Sequence, residues 1–215
     1  MKRGLSMNDL KSKKHETFEF TGALHEAFGN PETTGVWLVW GNSGGGKTSF
    51  MLQLCMELAK HGRVVYNSLE EGTRKTLKDS IEKLGLEAPK SRFIFVREDQ
   101  EEFEKRLSKN RAPKIAVIDS FQYMGMSFEQ YAAFRDRHSN KLLIFTSHAD
   151  GKKPYGRPAK KVLYDADLKI WVEGYKAYSN GRYIGENGGE FTIWQEGHEQ
   201  YYGRNHEQNL LDNED

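Results

Sequence analysis

The stretch Gly41-Asn42-Ser43-Gly44-Gly45-Gly46-Lys47-Thr48 decides the reading of this chain. It fits the pattern G-x-x-x-x-G-K-[ST]. Residues 36–40, Val-Trp-Leu-Val-Trp, precede it as an apolar run of strand length. Residues 47–61 follow with Phe50, Met51, Leu54 and Leu58 at helical spacing, and Gly62 stands where the helix should end. Glycines permit the positive-φ turns that point successive N–H groups inward. The start of the helix adds a partial positive charge. Residues Gly41, Asn42, Ser43, Gly44, Gly45, Gly46, Lys47, Thr48 and Ser49 are therefore the predicted phosphate cradle. Lys47 is placed to reach β- and γ-phosphates, and the Thr48 hydroxyl to ligate Mg²⁺.

Outward from this loop, apolar runs alternate with helical patterns. Strands are predicted at 64–66, 93–96, 115–118 and 142–145, and helices at 73–84, 101–109 and 128–137. That order predicts a mostly parallel sheet with helices on both faces. The ending differs. Strands at 168–172 and 191–194 bracket two short runs, 175–179 and 182–184, that flank Asn180-Gly181, a strong hairpin signal. The predicted fold is α/β with an antiparallel C-terminal hairpin.

Two acidic positions belong with the loop. The strand 115–118 delivers Asp119 to its C-terminal end, where ligands of open α/β sheets bind. Asp119 is placed to hold the Mg²⁺ shell with Thr48; the competing reading is a helix cap. Glu70 and Glu71 follow the strand 64–66, and one of them can orient or deprotonate an attacking water. Glu70 is favoured over Glu71. The pair also reads as an acidic first turn of the next helix, favourable to its dipole, and both can be true.

Together these segments resemble the RecA-like ATPase core of the RadA/DnaB/KaiC branch, over residues 17–197. In that branch a catalytic Glu follows the second strand in a Ser-x-Glu context, as in Ser68-Leu69-Glu70. IAVIDSFQ at 115–122 is similar to its Walker B strand, and LLIFTSH at 142–148 to its sensor strand. The resemblance implies that Ser147 and His148 face the γ-phosphate. Tyr164-Asp165-Ala166-Asp167 resembles a segment of DnaB-type helicases. The resemblance implies ATP and Mg²⁺ as ligands, hydrolysis catalysed by Lys47, Glu70 and Asp119, and a homo-oligomeric ring or filament with nucleotide near the subunit interface. Lacking the flanking domains of RadA and DnaB, the chain looks like the minimal cores encoded by phages or mobile elements.

Residues 150–161 carry five basic side chains, Lys152, Lys153, Arg157, Lys160 and Lys161, with Tyr155 among them. Two glycines and two prolines argue against a regular element there. In RecA-like proteins the loop after the sensor strand meets single-stranded DNA, which the resemblance implies for this segment. A cation reaching a neighbouring subunit and a plainly solvated loop stay open as readings. Arg182 lies near where the family places a trans-acting finger; an exposed hairpin arginine is the simpler reading. Thr73 and Arg74 lie where an adenine base could be approached, or merely start a helix.

Composition bounds the rest. The 215 residues suit one domain, with a net charge of +1, so any nucleic-acid affinity is local. Cys55 is the single cysteine, which excludes an intrachain disulfide and fits a reducing, cytoplasmic setting. No apolar run approaches a membrane span, and no secretory h-region follows the first residues. The predicted division is a basic tail at 1–16, the ATPase domain at 17–203 and an acidic tail at 204–215. The expected function is ATP hydrolysis coupled to single-stranded DNA in recombination, repair or replication. The alternatives are a small-molecule or nucleotide kinase, with the basic segment as a lid, and a KaiC-like ATP-switched partner-binding module without DNA.

Overall fold

The computed structural model describes residues 4–85 and 92–211. The chain runs α1 (Met7–Ser12), α2 (Gly22–Phe28), β1 (Gly35–Gly41), α3 (Lys47–His61), β2 (Val64–Ser68), α4 (Lys75–Lys83), β3 (Phe93–Val96) and α5 (Gln100–Leu107). It continues through β4 (Ile115–Asp119), α6 (Phe121–Met124), α7 (Phe128–Arg137), β5 (Leu142–Ser147), β6 (Ala149–Asp150) and β7 (Lys153–Pro154). Then come α8 (Arg157–Asp165), β8 (Leu168–Glu173), β9 (Lys176–Gly181), β10 (Gly189–Thr192) and α9 (Gln195–Leu211). Eight strands form one sheet in the order β10-β9-β8-β1-β5-β4-β2-β3. The six from β8 to β3 are parallel; β9 and β10 run antiparallel at one end.

Alternation along the strands builds two cores. Trp37, Val39, Tyr66, Val117 and Ile144 pack against α2 and α3 on one face. Leu38, Trp40, Ala116, Ile118 and Phe145 pack against α5, α6, α7 and α8 on the other. Trp37 and Trp40, three apart, fall on opposite faces as parity requires, and Cys55 on α3 is fully buried in the first core. The central strands are buried on both faces, so they read as unbroken apolar runs.

Three expectations need correction. The chain reverses at Gly174-Tyr175, whose φ values are 53° and 57°, and not at Asn180-Gly181, which ends β9. A two-residue hairpin turn of this kind needs positive φ at both central positions. Gly174 adopts it freely, and Tyr175 is held there by tertiary packing. Residues 182–184 form no strand. Residues 149–165 are regular: β6 and β7 pair as a small hairpin, and α8 starts with Pro158 in its first turn, where a proline needs no N–H partner. Finally, α9 runs through the predicted boundary at 204, and α1 is a capped turn of helix within the N-terminal segment, with no buried residue. Residues 1–3 and 212–215 of the two predicted tails lie outside the described residues.

Phe145 is fully buried and meets Phe121, Tyr131 and Phe134 edge-on. Phe145→Ala should cost about 3–5 kcal/mol in urea unfolding. Tyr164→Ala, at an exposed site on α8, should stay within about 0.5 kcal/mol of the parent.

Candidate functional site

All six parallel strands present their C-terminal ends at one edge of the sheet, and the predicted phosphate loop leaves β1 there. Gly46 caps α3 in the left-handed region, with φ 98°. The Phe50 N–H donates to the Gly46 carbonyl, closing the first helical turn at 2.9 Å. The first N–H groups of α3 have no helical carbonyl to meet and point toward the loop, where an anion could accept from them, while the Gly45 N–H donates to the Asn42 carbonyl at 3.4 Å. The Tyr175 N–H donates to the Gly45 carbonyl at 3.0 Å, and the Tyr175 ring lies against Gly46. A Cβ on Gly46 would come within 2.9 Å of that ring. The β8–β9 turn thus braces the loop from outside. It is itself fixed by His198 Nδ1, 2.7 Å from the Gly174 carbonyl, and by Trp194, packed edge-on to Tyr175.

The loop opens on a cavity of about 290 Å³. Asn42, Ser43, Gly44, Gly46, Lys47, Thr48 and Ser49 line one side, and Glu70, Glu71 and Asp119 the other. Gly41 and Gly45, also predicted for the cradle, are not in its lining; both lie against the Val172 carbonyl at the end of β8. Ser80 and Tyr175 complete the wall, and neither stands out in the sequence.

Asp119 is nearly buried, and each of its oxygens accepts from a hydroxyl. Tyr66 on β2 donates to Oδ2 at 2.8 Å, and Thr146 on β5 donates to Oδ1. Burial, with the Asp119 charge second, holds the Tyr66 phenol well above its ordinary pKa, so it stays a donor. The Asp119 carbonyl accepts from the N–H groups of Leu69 and Glu70 at 2.7 and 3.2 Å. That pair ties the acidic segment to β4.

Glu70 lies 3.4 Å from His148 Nε2. His148, predicted to face the γ-phosphate, is therefore placed beside Glu70 and outside the cavity wall. The Gln122 amide links this end of β5 to the segment that follows: it donates to Ser147 Oγ at 2.8 Å and to the Tyr155 carbonyl at 2.9 Å, and its oxygen accepts from the His148 N–H. Gln122, Tyr66 and Thr146 were not predicted as site residues. The only sequence signal for the last two is a polar atom inside an apolar strand.

Glu71 is the perturbed acid of the pair. Burial first, then the Asp119 and Glu70 charges, raise its pKa, against the pull of Lys47 and Arg74. Three carboxylates facing one lysine and a set of backbone amides suit a cation–phosphate pair. Among the described residues no three His, Cys, Asp or Glu side chains cluster as a metal cage. That is compatible with Mg²⁺ held largely by substrate oxygens and water.

The basic segment is divided by the structure. Lys152, Lys153, Tyr155 and Arg157 are exposed on or just after the β6–β7 hairpin. Lys160 pairs with Asp150 at 3.1 Å, and Lys161 sits 5.0 Å over the Phe128 ring, both on α8. Arg182 pairs with Asp167 at 2.7 Å beside the start of β1. It is at the sheet edge opposite its own phosphate loop, so it cannot act in cis. Arg74 caps α4, and with Thr73 it lines a shallow apolar recess near Phe95.

No protein-family model and no curated protein matches the chain. Solved structures do. The flagellar accessory protein FlaH from Methanocaldococcus jannaschii is 16% identical, with a TM-score of 0.56, over 82% of this chain and 91% of that one. A KaiC-like protein from Pyrococcus horikoshii is 19% identical, with a TM-score of 0.52 and the same coverage. The fold is RecA-like. It is mixed α/β, with the predicted phosphate loop at the edge formed by the C-terminal ends of the parallel strands. Among the described residues no helix is long and apolar enough to cross a membrane.

The Glu71 environment sets a pH dependence. Its folded pKa is raised, so the charged form is disfavoured in the native state. The cost is present in full above the folded pKa and vanishes below the ordinary carboxylate range. Glu71→Gln should therefore raise the urea midpoint at pH 7–8 relative to the parent. The gain should fall to nothing below about pH 4.

Proposed function

We propose that this chain binds ATP with Mg²⁺, hydrolyses it, and couples the cycle to single-stranded DNA held on the β6–β7 hairpin. The observation that carries the hydrolytic reading is the convergence of Lys47, Thr48, Glu70 and Asp119 on one cavity below the phosphate loop. Lys47 and the loop amides bind the phosphates. Thr48 and Asp119 would hold the metal, which when bound neutralises charge on the phosphate oxygens. Glu70 orients the attacking water and accepts its proton, and His148 fixes the carboxylate's direction. Tyr66 and Thr146 keep Asp119 in one rotamer.

Exposed Lys152 and Lys153 on the hairpin, with Tyr155 and Arg157 just after it, joined to the Glu70–His148 pair through Gln122, support the DNA reading. A second reading is an ATP-switched module that binds a protein partner. The likeness to a flagellar accessory protein and a KaiC-like protein favours it, as does the engagement of Lys160 and Lys161 within the chain. In either case the site works in an oligomer, where Arg182 of one copy faces the nucleotide of the next.

ATP turnover with and without single-stranded DNA separates these readings. Lys47→Ala should abolish turnover, and Glu70→Gln should cut it by about 10²–10⁴-fold while ATP still binds. Replacing Lys152, Lys153 and Arg157 together should weaken DNA binding and flatten its salt dependence by roughly 0.7 in log–log slope per lost contact. Parent-like DNA binding in that variant removes the hairpin as the contact. Turnover without any DNA affinity favours the partner-binding module.

A further inference from the structure

At the edge opposite the phosphate loop, a second cavity of about 590 Å³ opens below the starts of β4 and β5. Its wall is built from the turn after α5, the end of α7 and the turn into β5. Five cations line it: Lys109, Arg111, Lys114, Arg137 and Lys141. Arg137 is paired with Glu104. Among the described residues the other four have no carboxylate within ion-pair distance. Among the described residues its lining contains no acidic side chain.

The floor differs from the rim. Lys109, Arg111 and Lys114 are exposed, whereas Lys141 is only 6% exposed. Its Nζ donates one hydrogen bond, to the Pro113 carbonyl at 3.1 Å, which leaves two N–H donors. Burial, and Lys114 beside it, lower its pKa, as befits a cation lacking its counter-ion. His138 is also buried in this wall, and its Nε2 has no partner. Arg111 takes a left-handed backbone, φ 60°, which a side chain adopts only at a cost. In a chain of net charge +1, this concentration of unpaired positive charge is local.

We propose that this cavity is a second anion site, which takes a terminal phosphate group. A buried ammonium at the floor with exposed cations above it suits a compact, multiply charged head that can enter the recess. A phosphodiester inside a continuous strand offers one charge and cannot penetrate as far. A peptide partner would need apolar anchors, and the lining has only Leu107 and Ala112. The phosphate can come from a small molecule such as pyrophosphate, or from the 5′-phosphorylated end of a nucleic acid. The site goes beyond the nucleotide site at the other edge and does not depend on it.

The test uses the full chain carrying Lys47→Ala, so that the phosphate loop does not compete. Pyrophosphate is titrated by calorimetry. A short oligonucleotide with a 5′-phosphate is compared with its 5′-hydroxyl form by fluorescence anisotropy. One arm or the other should bind, and Lys109→Ala, Arg111→Ala and Lys114→Ala together should weaken it roughly tenfold or more. Pyrophosphate binding identifies a small phosphoanion. A preference for the 5′-phosphate without pyrophosphate binding identifies a nucleic-acid end. Lys141→Met should abolish either; if that variant does not fold, the rim variant, whose side chains are exposed, decides. No binding in either arm, or binding unchanged in the rim variant, overturns the proposal. Neither result bears on hydrolysis, which Lys47→Ala and Glu70→Gln test separately.

Discussion

The Asp119 carboxylate, held between the hydroxyls of Tyr66 and Thr146, is the interaction on which the site depends. The three residues stand on β2, β4 and β5, which are neighbours in the sheet. A buried carboxylate with both oxygens bonded has one orientation, and it aligns three strand ends at the same height. The Asp119 carbonyl then takes the N–H groups of Leu69 and Glu70, which sets where the acidic segment leaves β2. Because β5 lies between β1 and β4, the phosphate loop and Asp119 are one strand apart. The cavity between them is the space that this spacing leaves open. A ligand entering it meets Lys47 and the loop amides on one side and the acids on the other.

The parallel part of the fold was legible because its strands are buried on both faces. Runs such as 115–118 and 142–145 then have no polar interruption, and the helices between them keep their own period. The position of the hairpin turn was not. Asn180-Gly181 has the right local chemistry, but the reversal occurs at Gly174-Tyr175, where Tyr175 accepts positive φ because its ring and N–H both engage the phosphate loop. That stabilisation is tertiary and leaves no local pattern. Tyr66 and Thr146 were hidden for a related reason: in an apolar strand they read as core, and only their alignment with Asp119 gives them a role. Most of the cradle residues and the acidic pair line one cavity, a convergence that their spacing along the chain suggests.

Charge shows the same division between chain order and space. The run of cations at 152–161 stands out in the sequence, yet Lys160 and Lys161 spend their charge on Asp150 and Phe128. Lys109, Arg111, Lys114, Arg137 and Lys141 are spread over two turns and a helix end, with nothing to mark them as a group. The fold gathers them into one cavity without acids. Opposite edges of one sheet thus carry two different cavities: one combining a lysine with carboxylates, the other lined by five cations.

On the proposed reading, Asp119 and the phosphate loop act as one site, with a divalent cation between them. The most direct measurement is the affinity for ATP with and without Mg²⁺, by calorimetry, in the parent and in Asp119→Asn. Asparagine keeps the shape and can still accept from one of the two hydroxyls. The account predicts that Mg²⁺ tightens ATP binding to the parent by about tenfold, or about 1.4 kcal/mol, and that a folded Asp119→Asn loses this gain while keeping metal-free affinity. An unchanged Mg²⁺ dependence in the folded variant, or no ATP binding by the parent, would contradict it.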